Sequence, residues 1–214
     1  MPIALSLPLL AQLAPNARSS YRDAAVTAQA VLDRHGITQT PLRLAHFIAQ
    51  MMHESGALTL QVENLNYSAP RLPVVWPSRF RPKGALDPAA YANNPEKLAN
   101  EVYGGRMGNT QPGDGFRFRG RGLLQLTGRD SYSEATRILR SFDAGAPDFT
   151  AEPDLVFSAA WAVPIAAAEW DAKGCNAFAD QDQITMVTQR INGGQIGIAE
   201  RRDWLLRVKA LLKI

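Results

Sequence analysis

Only one of the 214 residues is cysteine, Cys175. A lone thiol excludes an intramolecular disulfide framework and a cysteine-rich metal site; it fits folding in a reducing cytosol, or a periplasmic protein without bridges. Net charge is also scarce. With 23 Lys and Arg against 20 Asp and Glu the balance is +3, too little to argue for nucleic acid as a partner. The sequence pI near 9.2 suits a polyanionic surface such as a bacterial envelope, but enzymes with neutral substrates share it. No run approaches the ~20 apolar residues of a membrane span. The N-terminal stretch MPIALSLPLLAQLAP has no Lys or Arg before Arg18 and carries prolines at 2, 8 and 15, which makes it a poor secretion signal. Internal repeats and low-complexity segments are absent too.

What is present is 46% apolar residues, enough for a substantial core in one domain covering 1–214. The pattern is mostly helical. A first helix is expected over about 17–34, ending at His35-Gly36. Thr40-Pro41 reads as an N-cap with proline in the first turn, and Leu44, Phe47, Ile48 and Met51 give the next helix a core face. That helix ends at His53 and Glu54, with Gly56 as the stop. Residues 57–115 read as an irregular insert holding seven of the 14 prolines. A loop region of that size inside a compact domain is usually functional. A short strand or hairpin is expected over 116–126. Further helices are expected at about 130–142, at 154–172 with a kink at Pro164, at 181–191 with Asp180 as N-cap, and at 197–212.

Glu54 and Glu63 carry the chemistry. A glutamate at a helix end is ordinarily a solvated terminal residue. The negative end of the helix dipole disfavours its ionised form, however, and that suits a proton donor. Glu63 alone reads as a surface residue, yet its polar setting, Gln61-Val62-Glu63-Asn64, suits an ionised carboxylate that orients a water. Two carboxyl groups held in different environments are the minimum needed to split a glycosidic bond. The position four after His53 holds Ala57, so the zinc-protease pairing of two histidines is missing and no metal is expected. In Gly120-Arg121-Gly122-Leu123-Leu124-Gln125-Leu126-Thr127-Gly128 the full nucleotide-loop pattern is missing. Gln125 and Thr127 alternate there with leucines, which puts both on one face of an extended segment. Ile191-Asn192-Gly193-Gly194 reads as an ordinary helix stop that also presents Asn192 to a ligand.

Five segments occur in order: His53-Glu54-Ser55-Gly56; Glu63-Asn64-Leu65-Asn66-Tyr67-Ser68; Val102-Tyr103 with Arg106-Met107-Gly108-Asn109; Arg119 through Gly128; and Ile191-Asn192-Gly193-Gly194. Together they resemble glycoside hydrolase family 19, and within it the single-domain phage endolysins and bacterial relatives often labelled chitinases. The resemblance implies a mainly α, lysozyme-like, two-lobed domain with a cleft, a small β-hairpin and the loop-rich insert. It implies an inverting hydrolase of β-1,4-linked N-acetylated amino sugars, with Glu54 as general acid, Glu63 as general base and Thr127 positioning the attacking water. Gln125, Tyr67 and Asn192 are then sugar contacts. Arg201, in Ala199-Glu200-Arg201, matches the family's arginine near the base and joins the substrate-binding set. Plant members place the base further from the acid and carry disulfides; here the base is nine residues on, and Ser131 stands where they have a sugar-binding Asn.

The expected protein is therefore a monomeric peptidoglycan-degrading endolysin that needs no cofactor. It is made in a host cytoplasm without a signal peptide and acts in the periplasm or on the wall. A chitinase is the alternative within the class, and a non-catalytic wall-binding protein the alternative outside it. Arg201, Arg202, Arg207, Lys209 and Lys213 lie among the apolar residues of the last helix. They read either as its solvated side or, for Arg207, Lys209 and Lys213, as a surface attracting an anionic envelope.

Overall fold

Ser6 opens the first helix, α1 (Leu7–Leu13), its hydroxyl accepting from the Leu9 N–H at 3.3 Å. Pro8 sits in the first turn, where its missing N–H costs nothing, so proline permits a helix in the segment read as interrupted. The computed structural model describes residues 3–214; Met1 and Pro2, where the secretion-signal reading begins, lie outside them.

The single helix expected over 17–34 is two, α2 (Ser19–Val26) and α3 (Gln29–Arg34). The chain turns at Thr27, and the break lets Ala24, Ala25, Ala28 and Leu32 all reach the core. Next comes α4 (Pro41–Glu54), started by Thr40, whose hydroxyl accepts from the Arg43 N–H at 3.2 Å. Every residue from Leu44 to Met52 is buried, so α4 is an interior helix rather than a surface one.

The insert is more ordered than its prolines suggested. It holds α5 (Leu72–Val75) and α6 (Pro95–Tyr103), and α7 (Asp114–Arg117) begins at its end. Asn94 caps α6, and Leu98, Ala99 and Val102 give it a buried stripe; that cap-and-proline start was the overlooked signal. The hairpin expected over 116–126 reduces to isolated antiparallel bridges, Val62 with Arg121 and Arg121 with Leu126. The cause is local: Gly122 and Gln125 both adopt positive φ, which breaks an extended run.

Four longer elements complete the chain apart from one short turn. They are α8 (Arg129–Phe142), α9 (Ala162–Ala172), α11 (Ile184–Asn192) and α12 (Ile198–Leu212), with α10 (Cys175–Ala179) between α9 and α11. Pro164 does not kink a helix: a separate 3-10 turn covers Pro153–Phe157, and the proline falls in the first turn of α9. Asp180 is not the cap of α11 either. It ends α10 and binds Arg43, and α11 starts only after Gln183.

Three apolar clusters organise these elements. The largest gathers α1 to α4 with α9 to α12, and Phe47 meets Trp170 edge-on at 5.5 Å inside it. A second joins α8 to α9 around Tyr132 and Phe149. A third lies under the insert, around Leu72, Phe80 and Leu98.

Candidate active site

Glu54 is placed by a polar stripe on a helix that is otherwise apolar. Arg43, His46, Gln50 and Glu54 follow one another at three- and four-residue spacing, so they share one face of α4. Each binds the C-terminal segment. Arg43 meets Asp180 at 2.6 Å, His46 meets Asp182 at 2.9 Å, and Gln50 donates to Thr188 at 3.2 Å. Arg201 of α12 closes the series, bridging the Gln50 carbonyl oxygen and Glu54 Oε1, the latter at 2.5 Å. One residue earlier, His53 meets Glu200 at 3.2 Å. Burial is the main cause that holds both His46 and His53 below the usual imidazole range.

After Glu54 the chain reverses through Gly56, Ala57 and Leu58, all at positive φ. Two of these are not glycine, and each costs about 1–2 kcal/mol in this conformation. Ser55 compensates: its buried hydroxyl donates to Met51 O and accepts from the Leu58 N–H at 2.9 Å. The reversal brings residues 61–63 alongside 120–122, with the Glu63 N–H on Gly120 O at 3.0 Å and the Gly122 N–H on Gln61 O at 2.9 Å.

The Glu63 carboxylate is fixed from both sides. Its Oε1 accepts from the Gly120 N–H at 2.5 Å and its Oε2 from the Tyr103 hydroxyl at 2.8 Å. Burial and the adjacent carboxylate push the Tyr103 phenol upward, so it stays a donor. Gln125 and Thr127 do share a face, but as part of a tight turn rather than a strand. Gln125 is at φ 55°, and Thr127 donates to its carbonyl at 2.7 Å. Gly120 is the point of convergence. A Cβ there would stand 2.9 Å from Gln125 Oε1 and 3.3 Å from both Glu63 Oε1 and Thr127 Oγ1. Any side chain would therefore crowd three polar groups at once.

These groups line one cleft of about 480 Å³. Glu54, Glu63, Gln125, Thr127 and Asn192 all face it, so five of the seven residues chosen from the sequence come together. Asn192 ends α11, with Gly193 as its left-handed stop. Tyr67 packs edge-on against Trp76 at 5.1 Å in the insert's own cluster, which also holds the cleft residue Tyr103. One expectation is corrected. Arg201 is 1% exposed and holds the proposed acid, Glu54, instead of standing near the base as a sugar contact. Tyr103, which the sequence shows only as part of a motif, lines the cleft as well, and so do Glu169 and Lys173, which lie outside every motif. Lys173 pairs with Glu169 at 2.8 Å and donates to Ile191 O at 2.8 Å; burial pushes the Glu169 carboxyl upward, with Lys173 opposing. Their i,i+4 spacing at the end of an apolar helix was the available signal. Among the described residues no three His, Cys, Asp or Glu side chains converge as a metal site.

A helical fold in which two carboxyl groups from separate segments face one polar cleft is an arrangement that glycoside hydrolases use. The chain is 38% identical over 162 residues to a glycosyl hydrolase family 19 domain-containing protein of Haemophilus influenzae, covering 75% of each. It belongs to glycoside hydrolase family 19. No family model matches it. Among solved structures it resembles a bacterial family 19 chitinase at TM-score 0.66 and 20% identity, covering 99% of this chain and 96% of that one. It also resembles chitinase C of Streptomyces griseus at 0.65 and 19%, over 98% and 76%. A class IV chitinase of Zea mays follows at 0.52 and 16%, over 97% and 90%. At these identities the likeness speaks for the fold, a mainly helical lysozyme-like architecture.

Proposed function

We propose that this protein cleaves the β-1,4-linked amino-sugar backbone of bacterial peptidoglycan by an inverting mechanism, with Glu54 as acid and Glu63 as base. The observation that carries the reading is the meeting of Glu54, Glu63 and Thr127 in one cleft. Arg201 donates to Glu54 Oε1, which leaves Oε2 to carry the proton toward the glycosidic oxygen. Glu63 keeps a free lone pair on each oxygen, since each accepts one bond from the protein. Thr127 spends its hydroxyl proton on Gln125 O, so its oxygen is an acceptor. A water that donates to both Thr127 and Glu63 then points a lone pair at the anomeric carbon. As the C–O bond breaks, the leaving oxygen takes the proton of Glu54. The water oxygen bonds the anomeric carbon from the opposite face, and Glu63 takes the water's proton. Gln125 and Asn192 hold the sugar.

Action at the cell wall is part of this reading, and the C-terminal helix supports it in part. Lys209 is taken up by Asp182, and Arg207 stacks over Trp204 at 5.0 Å. Arg207 and Lys213 remain exposed cations, suited to wall or lipid phosphates. The second reading is a chitinase, favoured by the structural relatives that carry that name. The test is to measure, side by side, clearing of outer-membrane-permeabilised Gram-negative cells and release of soluble sugar from colloidal chitin. Clearing that Glu54→Gln abolishes, with little release from chitin, supports the proposal. Turnover of chitin without clearing transfers the protein to the second reading.

A further inference from the structure

Beside the catalytic cleft lies a second hollow of about 250 Å³, between α8 and the end of α9. At about 30 Å³ per water it has room for some eight waters. The two hollows share three wall residues, Ser131, Glu169 and Lys173, so the second opens from the side of the first. Its floor is apolar, made by Leu126, Ala135 and Ile138, and Ala172 closes one edge. Its rim is acidic. Asp130 and Glu134 stand on it, with Glu169 at the junction. Glu134 is matched by Arg137 at 2.6 Å, whereas the exposed Asp130 has no ion-pair partner among the described residues.

Glu169 supplies the independent observation. Its Oε1 binds Lys173, but its Oε2 is buried without any hydrogen-bond partner. A buried carboxyl oxygen left unpaired costs about 1–3 kcal/mol, more when charged, and such a group calls for a donor. The N-acetyl group of an unbranched sugar chain offers only one methyl and one N–H, too little to fill a hollow of about 250 Å³. A peptide attached to the sugar ring through a lactyl ether offers more: methyl groups for the floor, amide N–H groups for Glu169, and a free amine further along the peptide for the acidic rim.

We infer that this side hollow is a subsite for the lactyl-peptide branch of the glycan, so that the enzyme selects peptide-bearing amino-sugar strands over bare ones. The inference rests on the proposed glycosidase activity and deepens it, because it names the substituent that separates peptidoglycan from chitin. The pairing of roles follows from position. Glu54, Glu63 and Thr127 of the cleft act on the glycosidic bond, and the residues of the side hollow, with Glu169 at the junction, read what hangs from the ring next to it.

The test compares kcat/KM on purified peptidoglycan strands that keep their peptides with kcat/KM on the same strands after an amidase has removed them. Wild type should prefer the peptide-bearing strands by about tenfold or more, the scale of discrimination a fitted apolar pocket gives for a small group. Ala172→Trp fills the hollow from an exposed position at the end of α9, and it should bring the ratio of the two rates to within about threefold of unity. Glu169→Gln should lower the ratio as well. Its amide oxygen takes the place facing Lys173, and its amide N–H₂ then meets the branch as a donor against a donor. A wild-type ratio near one, or a preference that survives Ala172→Trp in protein with an unchanged melting temperature, overturns the inference while leaving the glycosidase reading intact. Failure to cleave either kind of strand overturns the glycosidase reading itself.

Discussion

Arg201→Met isolates what the buried guanidinium does for the acid. Arg201 is 1% exposed and donates to Gln50 and to Glu54. Removing one partner of a buried ion pair costs about 3–5 kcal/mol. The lower end applies, because the Glu54 side chain is 13% exposed and water repairs part of the loss. Gln50, fully buried, is left with an unmet carbonyl oxygen and adds to the cost. A loss of about 3 kcal/mol in a chain of this size lowers the melting temperature by about 6–12 °C. The variant should also lose more in kcat than in KM, because the group it frees is the proton donor and not a sugar contact. Arg201→Lys keeps the charge but not the fork that spans both partners, and should fall between. Thermal unfolding followed by circular dichroism, beside steady-state kinetics on solubilised strands, reads both effects. A melting temperature within about 2 °C of wild type with unchanged kcat would refute the positioning role.

Three further outcomes follow from the same geometry. Thr127→Ala should lower kcat while leaving KM nearly as it was, since an oriented water is needed only in the transition state; steady-state kinetics checks it, and weaker binding at unchanged kcat would make Thr127 a sugar ligand. Gly197→Ala should be severe, because the position has φ 73° and a Cβ would stand 2.5 Å from His53 Nε2 at the start of the helix that carries Arg201; loss of about 2 kcal/mol or more in urea unfolding is expected. Stability should decline on acidification below about pH 6.5. His46 and His53 sit below their ordinary value of 6.5 in the folded chain, so the unfolded chain binds the protons first, and the stability present above that value falls by up to about 1.4 kcal/mol per pH unit for each. Asp180 and Asp182, held low by Arg43 and by Lys209 with His46, add losses only at lower pH, as it falls below 3.8 and through their depressed values; urea melts at pH 7.5 and 5 read the histidines, and a further melt at about pH 3 adds the aspartates.

The parts of this molecule that could be read from sequence are those whose signals are local. Thr40-Pro41 announced α4, and the end of that helix announced Glu54. Five of the seven chosen site residues meet because their motifs sit on short segments with one workable conformation, such as the turn Gly122–Thr127 and the stop at Gly193. What stayed hidden depends on partners distant in the chain. Arg201 reaches Glu54 across 147 positions, and Tyr103 reaches Glu63 across 40. Nothing near Arg201 says that it will be buried on the acid. Proline misled in both directions: Pro8 and Pro164 sit harmlessly in first turns, and the seven prolines of the insert obscured α6. The hairpin failed because Gly122, at positive φ, lies against Val156 and Gln125, also at positive φ, turns toward the cleft, contacts that a pattern of alternating leucines does not contain.

The central claim is that Glu54 and Glu63 work as acid and base on a water, and the anomeric form of the first product tests it most directly. Proton NMR during the early turnover of a β-linked oligosaccharide by wild-type enzyme should show the α-anomer appearing first, with the β-anomer growing in only by mutarotation; inverting enzymes of this kind hold their carboxyl groups roughly 6.5–9.5 Å apart to leave room for that water. Both Glu54→Gln and Glu63→Gln should cut the signal by at least about 10²-fold. A β-anomer formed first, or either variant keeping more than about a tenth of the wild-type rate, would contradict the account.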